Sequence, residues 1–235
     1  HFLEKSAENG IEIFRTFDAL NDFENIDFTI REVKRIGKHA QGTIAYTTSP
    51  VHDLNTWIDL AKKIEDAGAD SLAIKDMAGL LRPFDAYELV KNLKSTLSIP
   101  IHMQTHATTG MSTATNMKAI EAGIDNIDTS ISSLSMTYGH TATETMLAIF
   151  ENEEREINLD LSALEEVSIF FKEIRDKYSE FEGNLKGVDS SMLVKQVPGG
   201  MLSNLESQLR ANKQEDKIDL CLLYTSPSPR DTIRS

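Results

Sequence analysis

The chain has 235 residues, of which 40% are hydrophobic and 26% are charged, a composition typical of one globular domain or a large part of one. Its formal net charge of −13 argues against a nucleic-acid partner, because such a surface would repel phosphates. No apolar run is long enough to span a membrane, and the N-terminus lacks the pattern of a signal peptide. We therefore expect a cytoplasmic protein, and peripheral attachment to a membrane stays open.

A repeating unit runs through the first half of the chain, in which a helix ends and a short apolar strand follows. In four of the repeats a glycine separates the two, at Gly10, Gly42, Gly68 and Gly123. Glycine adopts the left-handed cap conformation at least cost, so we expect each of these residues to end a helix. The spacing is that of βα units with short loops. The five predicted strands cover residues 11–17, 43–47, 71–74, 99–105 and 124–129.

Between the strands the hydrophobic period becomes helical. Asp53 is placed to cap one helix, and Pro83 occupies the first turn of the next, where proline is tolerated. Beyond about residue 159 the pattern predicts long helices over residues 161–178 and 204–211, with no further strand. The helix that follows Asp53 presents one apolar face, formed by Leu54, Trp57, Ile58, Ala61 and Ile64.

Strands this short, alternating with helices, predict an α/β fold with a parallel sheet. We expect a partial (β/α)8 TIM barrel, its last five βα units, over residues 1–157 and a C-terminal helical extension over residues 158–220. A doubly wound open sheet is the alternative, but no glycine-rich phosphate loop follows any predicted strand. His1 begins in what reads as the middle of a helix, so we expect the chain to be truncated at its start.

Residues 221–235 are not expected to be native sequence. They read as one frame of a transposase-type sequencing adaptor, and a disordered natural tail is the alternative. The segment holds the only cysteine, so its exclusion leaves no disulfide or cysteine–metal site to predict.

In a parallel barrel, side chains at the carboxyl ends of the strands face the mouth where active sites form. Lys75 closes one strand, and burial there would lower its pKa and favour a nucleophilic amine over a solvated cation. An ion pair with Asp18 or Asp128 is the structural alternative for this lysine. The other polar residues at strand ends are Asn21, Tyr46, Asp76, Gln104 and His106.

His102, Gln104 and His106 lie on one face of their strand, because strand side chains alternate with period two. A strand histidine is more often a hydrogen-bonded core residue than a ligand. His140 could serve only to start a helix, and the neighbours of Asp18 favour an Asx-type turn.

Four segments, at residues 14–22, 74–81, 105–110 and 197–205, together resemble the carboxyltransferase domain of biotin-dependent enzymes. That family includes the oxaloacetate decarboxylase α subunit, pyruvate carboxylase with its separate B subunit, and the oxo-acid subunit of transcarboxylase. The resemblance runs from residue 1 to about residue 220. Ser203 and the segment Ser49-Pro50-Val51-His52 are more similar to the decarboxylase, B-subunit and transcarboxylase branch than to one-chain pyruvate carboxylase.

The resemblance implies a divalent metal, usually zinc, held by a first-strand aspartate, a carbamylated lysine and two histidines spaced one residue apart. The lysine matches Lys75, the second histidine matches His106, and the aspartate would lie before His1. The first histidine falls at Gln104, a neutral oxygen donor where zinc favours imidazole nitrogen. His102 points the same way but lies two residues deeper, so it is a poor substitute. We predict Gln104 as a ligand position with a weak ligand.

The resemblance also implies an enzyme that moves a carboxyl group between oxaloacetate or pyruvate and biotin, like the oxaloacetate decarboxylase α subunit. The separate B subunit of pyruvate carboxylase and the oxo-acid subunit of transcarboxylase are the alternatives. Ser203 matches a hydroxyl that contacts biotin and carries a proton between its ureido nitrogen and the enol of pyruvate. Biotin would be carried on another domain or subunit, and membrane-bound partner subunits at the inner membrane and a homo-oligomer are further expectations. The chain alone is expected to be inactive.

Two other functions stay open. A lyase or synthase of the related acyl-CoA barrel group shares a strand-end His-x-His, but Lys75 and the segment Pro198-Gly199-Gly200-Met201 argue against it. A non-catalytic barrel subunit that has lost its metal site would explain Gln104.

Overall fold

The computed structural model describes residues 1–151, 153, 157, 159–218 and 220–221. The predicted adaptor segment therefore lies outside the described residues, except for Cys221. The chain divides into two compact units. We call residues 1–105 with 113–128 the sheet unit, and residues 106–112 with the chain from residue 129 onward the helical unit. The predicted boundary after residue 157 stays a prediction.

Five parallel strands form one sheet in the sheet unit, and their order in space is their order along the chain. A doubly wound sheet reverses its strand order at a crossover, so the sequential order excludes that alternative. The strands are β1 (Ile13–Thr16), β2 (His39–Ala45), β3 (Ser71–Asp76), β4 (Ile101–Thr105) and β5 (Asn126–Ile127).

The helices follow the predicted pattern. The Asp53 side chain accepts a hydrogen bond from the backbone N–H of Thr56 at 2.8 Å, and Pro83 is the first residue of its helix, as predicted. The last predicted helix begins five residues earlier than expected, at Gly199 instead of Asn204. The α-helices are α1 (Phe2–Glu8), α2 (Phe23–Arg35), α3 (Leu54–Asp66), α4 (Pro83–Thr96), α5 (Ser112–Glu121), α6 (Thr143–Ile149), α7 (Leu161–Lys177), α8 (Met192–Lys195) and α9 (Gly199–Ala211).

The two faces of the sheet differ in polarity. Apolar strand residues such as Ile74 and Met103 are fully buried in one core with Ile30 of α2, Ile64 of α3 and Leu93 of α4. Because strand side chains alternate, the residues between them point to the opposite face. That face carries polar and charged groups, so we call it the polar face, and it includes Arg15, Gln41, Ser71, Lys75, His102 and Gln104.

The prediction for Gly42 is wrong, because this residue lies inside β2 and ends no helix. The left-handed position after α2 is taken by Gly37, with φ 71°. Gly42 is required for packing: a Cβ atom there would lie 2.3 Å from Cγ2 of Ile64, so α3 could not approach the sheet as closely. The predicted left-handed glycines that are confirmed are Gly10, Gly68 and Gly123.

The helical unit holds α6 to α9 and a small core of its own. Met192 and Leu202 are buried there, with Tyr138, Val197 and Leu205 packed against them. None of the helices that the structure describes is long and apolar enough to cross a membrane.

Candidate active site

An ion-pair network crosses the polar face from one edge strand to the other. Arg15 lies on β1, and Asp128 follows directly after β5. The guanidinium donates from Nη1 to Oδ2 of Asp128 at 2.6 Å and from Nε to Oε1 of Gln41 at 2.5 Å. Nε2 of His102 lies 2.5 Å from the other carboxylate oxygen, Oδ1. We call Arg15, Gln41, His102 and Asp128 the floor network.

The floor network fixes the charge of Asp128. Burial by itself would raise the pKa of this carboxyl, but the hydrogen bonds from His102 and Arg15 and the positive charge of Arg15 outweigh burial. The pKa of Asp128 is therefore held well below its usual range, and the carboxylate stays ionised at neutral pH.

Lys75 lies half-buried at the carboxyl end of β3, where the prediction placed it. Its ammonium donates to Oε1 of Gln104 at 3.3 Å and lies 5.3 Å from the ring centroid of Phe17. Burial lowers the pKa of Lys75, the charge of Arg15 lowers it further, and Asp128 opposes both. The direction agrees with the prediction from sequence.

The alternative for Lys75, an ion pair, is not found within the described part of the chain. Both oxygens of Asp128 are engaged by Arg15 and His102. Asp18 instead accepts hydrogen bonds from the backbone of Leu20 and Asp22 and from the side chain of Asn25. Asp18 therefore organises the turn before α2, which confirms the Asx-turn interpretation.

Asp76, another predicted site residue, holds the loop after β3. Its fully buried carboxylate accepts from the backbone N–H groups of Leu80 and Leu81, at 2.8 and 3.0 Å, and from the hydroxyl of Thr105 at 2.8 Å. Burial raises its pKa to about 6 in spite of these donors. Asp76 alternates with Lys75 along β3, so its side chain does not share the polar face.

Asn21 and Tyr46 also have structural explanations. The Asn21 side chain bonds both backbone groups of Ala45, which ties the loop after β1 to the end of β2. The Tyr46 ring lies 5.5 Å from the ring of Trp57, and burial raises the Tyr46 pKa to about 12. Tyr46 therefore stays protonated at neutral pH and is no general base.

His106 and His140 belong to the helical unit and lie together, with ring centroids 4.6 Å apart. Nδ1 of His106 lies 2.6 Å from the carbonyl oxygen of Tyr138. A carbonyl only accepts hydrogen bonds, so Nδ1 carries the proton, and Nε2 is the basic nitrogen of the neutral ring.

Ser203 lies in the second turn of α9, partly exposed. Its hydroxyl donates to the carbonyl of Gly200 at 3.1 Å, a bond within the helix itself. A Cβ atom at Gly200 would meet no described atom within 4 Å, so packing within the described chain does not require glycine there.

The side chains provide a poor ready-made metal site. Among the described residues, no group of three or more His, Cys, Asp or Glu side chains could hold a metal ion. Lys75 as an ammonium donates hydrogen bonds and has no lone pair to offer a metal. Within the sheet unit, Lys75 could bind a divalent ion only if it gained a carboxylate, and Gln104 offers only a weak amide oxygen. In the helical unit, His106 offers an imidazole.

Sequence reasoning missed Arg15, Gln41 and Phe17. Arg15 and Gln41 could have been found, because a charged or amide side chain at alternate positions of a short apolar strand marks its polar face. The proximity of the Phe17 ring to Lys75 depends on how the loop after β1 turns, for which the sequence has no signal.

The comparisons with known proteins agree with this geometry. Residues 11–170 match the family model described as HMGL-like. The chain is 49% identical over 220 residues to the methylmalonyl-CoA carboxyltransferase 5S subunit of Propionibacterium freudenreichii. The aligned segment covers 93% of the chain and 43% of that protein. It is 46% identical to the B subunit of pyruvate carboxylase from Methanocaldococcus jannaschii, over 93% of the chain and 39% of that protein.

The same relationship holds among solved structures. The carboxyl transferase domain of Rhizobium etli pyruvate carboxylase superposes with a TM-score of 0.88 and 34% identity, over 92% of the chain and 37% of that structure. The chain thus spans about two fifths of the length of each of these three relatives. The predicted partial TIM barrel and the resemblance to carboxyltransferase domains are confirmed, and the chain belongs to the HMGL-like family.

Proposed function

We propose that this chain is part of an enzyme that moves a carboxyl group between biotin and the oxo acids pyruvate and oxaloacetate. The observation that carries the proposal is the 49% identity, over nearly the whole chain, with a carboxyltransferase subunit. The half-buried lysine at the rim of the polar face, with its lowered pKa, is the chemical feature that supports it.

Lys75 would be modified by carbon dioxide. Its neutral amine attacks the carbon of CO2, a C–N bond forms, and the nitrogen loses one proton to solvent. The product is a carbamate, an anionic oxygen donor in place of an ammonium. Burial and the nearby charge of Arg15 favour the neutral amine that this reaction needs.

We assign Lys75 as carbamate, Gln104 and His106 as the residues that would hold a divalent metal, zinc by resemblance. A bound divalent ion supplies a Lewis acid that stabilises negative charge on the carbonyl oxygen of an oxo acid. The Nδ1 hydrogen bond of His106 to a backbone carbonyl is the type of outer contact that orients metal-binding histidines. Gln104 departs from the family pattern and would weaken binding.

Ser203 would carry the proton. When a carboxyl group leaves oxaloacetate for biotin, the methylene carbon of the pyruvate enol must gain a proton and the ureido nitrogen must lose one. The Ser203 hydroxyl passes its proton to the carbon and takes the proton of the nitrogen, so the serine ends unchanged. To act, it must release its hydrogen bond to Gly200.

The branch of the family sets the carboxyl acceptor. The sequence motifs favour the branch that the decarboxylase, the B subunit and transcarboxylase share. Within it we propose an oxaloacetate decarboxylase α-like subunit, which would add a biotin carrier and membrane-bound subunits as partners. The transcarboxylase and B-subunit alternatives have the support of the two relatives described above. All three share the step between oxo acid and biotin.

The test is a chimera in which the matched 220-residue segment of this chain replaces its counterpart in the P. freudenreichii 5S subunit. We expect the folded chimera to decarboxylate oxaloacetate at a rate that rises with added biotin. A chimera that melts cooperatively like its parent but shows no biotin-dependent turnover and no bound metal would support the non-catalytic barrel instead. Acetyl-CoA-dependent aldol chemistry, without any response to avidin, would support the lyase or synthase alternative.

Substitution of Ser203 tests its role in the same chimera. Ser203→Ala should lower turnover by about 10²- to 10⁴-fold, the range for loss of a positioned proton carrier, with little change in the KM for oxaloacetate. Ser203→Thr keeps a hydroxyl and should retain most of the activity. Equal turnover of the alanine and threonine variants would contradict the assignment.

A further inference from the structure

We propose that His106 and His140 form a two-imidazole site for a divalent first-row metal ion within the helical unit. The inference deepens the proposed function, on whose metal it rests. The two rings lie with centroids 4.6 Å apart and planes inclined by 47°. Two imidazoles that bind one tetrahedral ion through bonds of about 2 Å have centroids about 5 Å apart.

The contacts of His106 prepare one of its nitrogens for a metal. Nδ1 donates to the carbonyl oxygen of Tyr138 at 2.6 Å, which fixes the tautomer and the orientation of the ring. Histidines that bind metals in proteins usually donate their other ring N–H to a carbonyl or carboxylate in this way.

The loop that carries His140 is built around His106. Besides the Tyr138 carbonyl, it presents the carbonyl of Gly139 to the backbone N–H of Ala107 at 2.8 Å. The backbone N–H of Met136 closes the loop on the carbonyl of His140 at 2.7 Å. One short segment therefore orients His106 and also places the second imidazole beside it.

This loop is held in a costly conformation. Met136 and Thr137 are consecutive residues with φ of 60° and 49°, in the left-handed region that favours glycine. Residues in this conformation are strained and persist mainly where surrounding structure enforces them, often at functional sites. Gly139 is also constrained, because a Cβ atom there would lie 3.0 Å from the carbonyl oxygen of Leu134.

The chemistry of the ligands gives the pair its role. Zinc and cobalt prefer imidazole nitrogen to a neutral amide oxygen, so a site with His106 as its one imidazole would bind them weakly. His140 restores the second imidazole from a different segment of the chain. The ion expected is therefore Zn²⁺ or Co²⁺, and an ion that selects oxygen ligands, such as Mg²⁺, should bind poorly.

The experiment is a titration of the full 235-residue chain with Co²⁺, followed by its visible absorption and by competition with Zn²⁺. His140→Phe keeps an aromatic ring of similar size without nitrogen donors, and we expect it to weaken Co²⁺ binding by about 10- to 100-fold. His106→Ala should weaken binding at least as much. His52→Phe, in the sheet unit, is the matched control and should leave the affinity unchanged.

The outcomes separate this inference from the proposed function. Unchanged Co²⁺ affinity in His140→Phe, or no Co²⁺ binding by the unsubstituted chain, would overturn the two-imidazole site. Biotin-dependent turnover of the chimera, measured separately, would still support the proposed function in that case. Loss of affinity in His140→Phe, with a chimera that folds but does not turn over, would leave the metal site standing and reject the proposed reaction. Thermal melts of each variant show whether lost binding reflects lost folding.

Discussion

The polar face of the sheet has two levels that differ in how their charges are paired. In the floor network, Asp128 has two charged or polar donors within 2.6 Å, and Arg15 bonds to both Asp128 and Gln41. At the rim, Lys75 donates to a neutral amide oxygen at 3.3 Å and makes no ion pair among the described residues. A charge with fixed opposite partners stabilises the fold, whereas a weakly held amine is available for chemistry.

The largest expected effect on stability comes from breaking the floor network. Asp128→Asn removes the carboxylate charge that both Arg15 and His102 contact, and it should lower the free energy of unfolding by about 3 kcal/mol, measured by urea titration. Because the folded pKa of Asp128 is depressed, its contribution is present above the unfolded pKa and is lost as the pH falls below about 4.

The control for this variant is Asp85→Asn, which breaks the exposed pair between Arg82 and Asp85. Solvent and salt screen exposed pairs, so the loss of stability in this variant should be small. Equal losses in the two variants would show that the floor network contributes no more than a surface ion pair.

Asp76 sharpens the comparison because it is buried among neutral donors. Asp128 accepts from the Arg15 guanidinium and from His102, and its pKa falls. Among the described residues Asp76 accepts from backbone N–H groups and a hydroxyl, and burial raises its pKa to about 6. The folded state then binds the proton more tightly than the unfolded state, so stability should decrease as the pH rises from about 4 to about 6.

The decrease that Asp76 contributes should be about 2 kcal/mol, read from urea midpoints at successive pH values. In Asp76→Asn, which keeps one acceptor oxygen, this part of the pH dependence should disappear. A variant with the same slope as the parent over that range would contradict the assignment.

The smallest expected effect is a gain in metal affinity at the rim of the polar face, at position 104. Gln104→His replaces an amide oxygen with an imidazole and should raise Zn²⁺ affinity by about tenfold, with a melting temperature within a degree or two of the parent. The partner variant Gln104→Leu removes the donor altogether. Identical affinities for the histidine and leucine variants would mean that position 104 is not a ligand position.

The sequence was a good guide wherever local chemistry decides the structure. The helix start at Asp53, the proline of the first turn of α4 and three of the four left-handed glycines follow from their own neighbours. The prediction for Gly42 was wrong because this strand residue is a glycine to allow close contact with Ile64 of α3. Its local sequence pattern also fits a helix end.

The candidate site was predicted less completely than the fold. Lys75 was recognised because a lysine at the end of an apolar strand is unusual, and its lowered pKa follows from that position. Polar side chains near strand ends can also stabilise turns and loops by hydrogen bonds to the backbone, and this is the role of Asp18, Asn21 and Asp76. The sequence does not distinguish that role from a place in an active site. The pairing of Arg15 with Asp128 joins residues 113 positions apart, which no local pattern reveals.

The central claim, that Lys75 is the residue modified by carbon dioxide, can be measured directly. The chimera would be equilibrated with labelled bicarbonate, treated with an oxonium reagent that esterifies carbamates, and analysed by mass spectrometry of its peptides. We expect the labelled carboxyl group on the Lys75 peptide and none on the peptide of the exposed Lys62. An active chimera with unmodified Lys75, or equal labelling of both lysines, would contradict the claim.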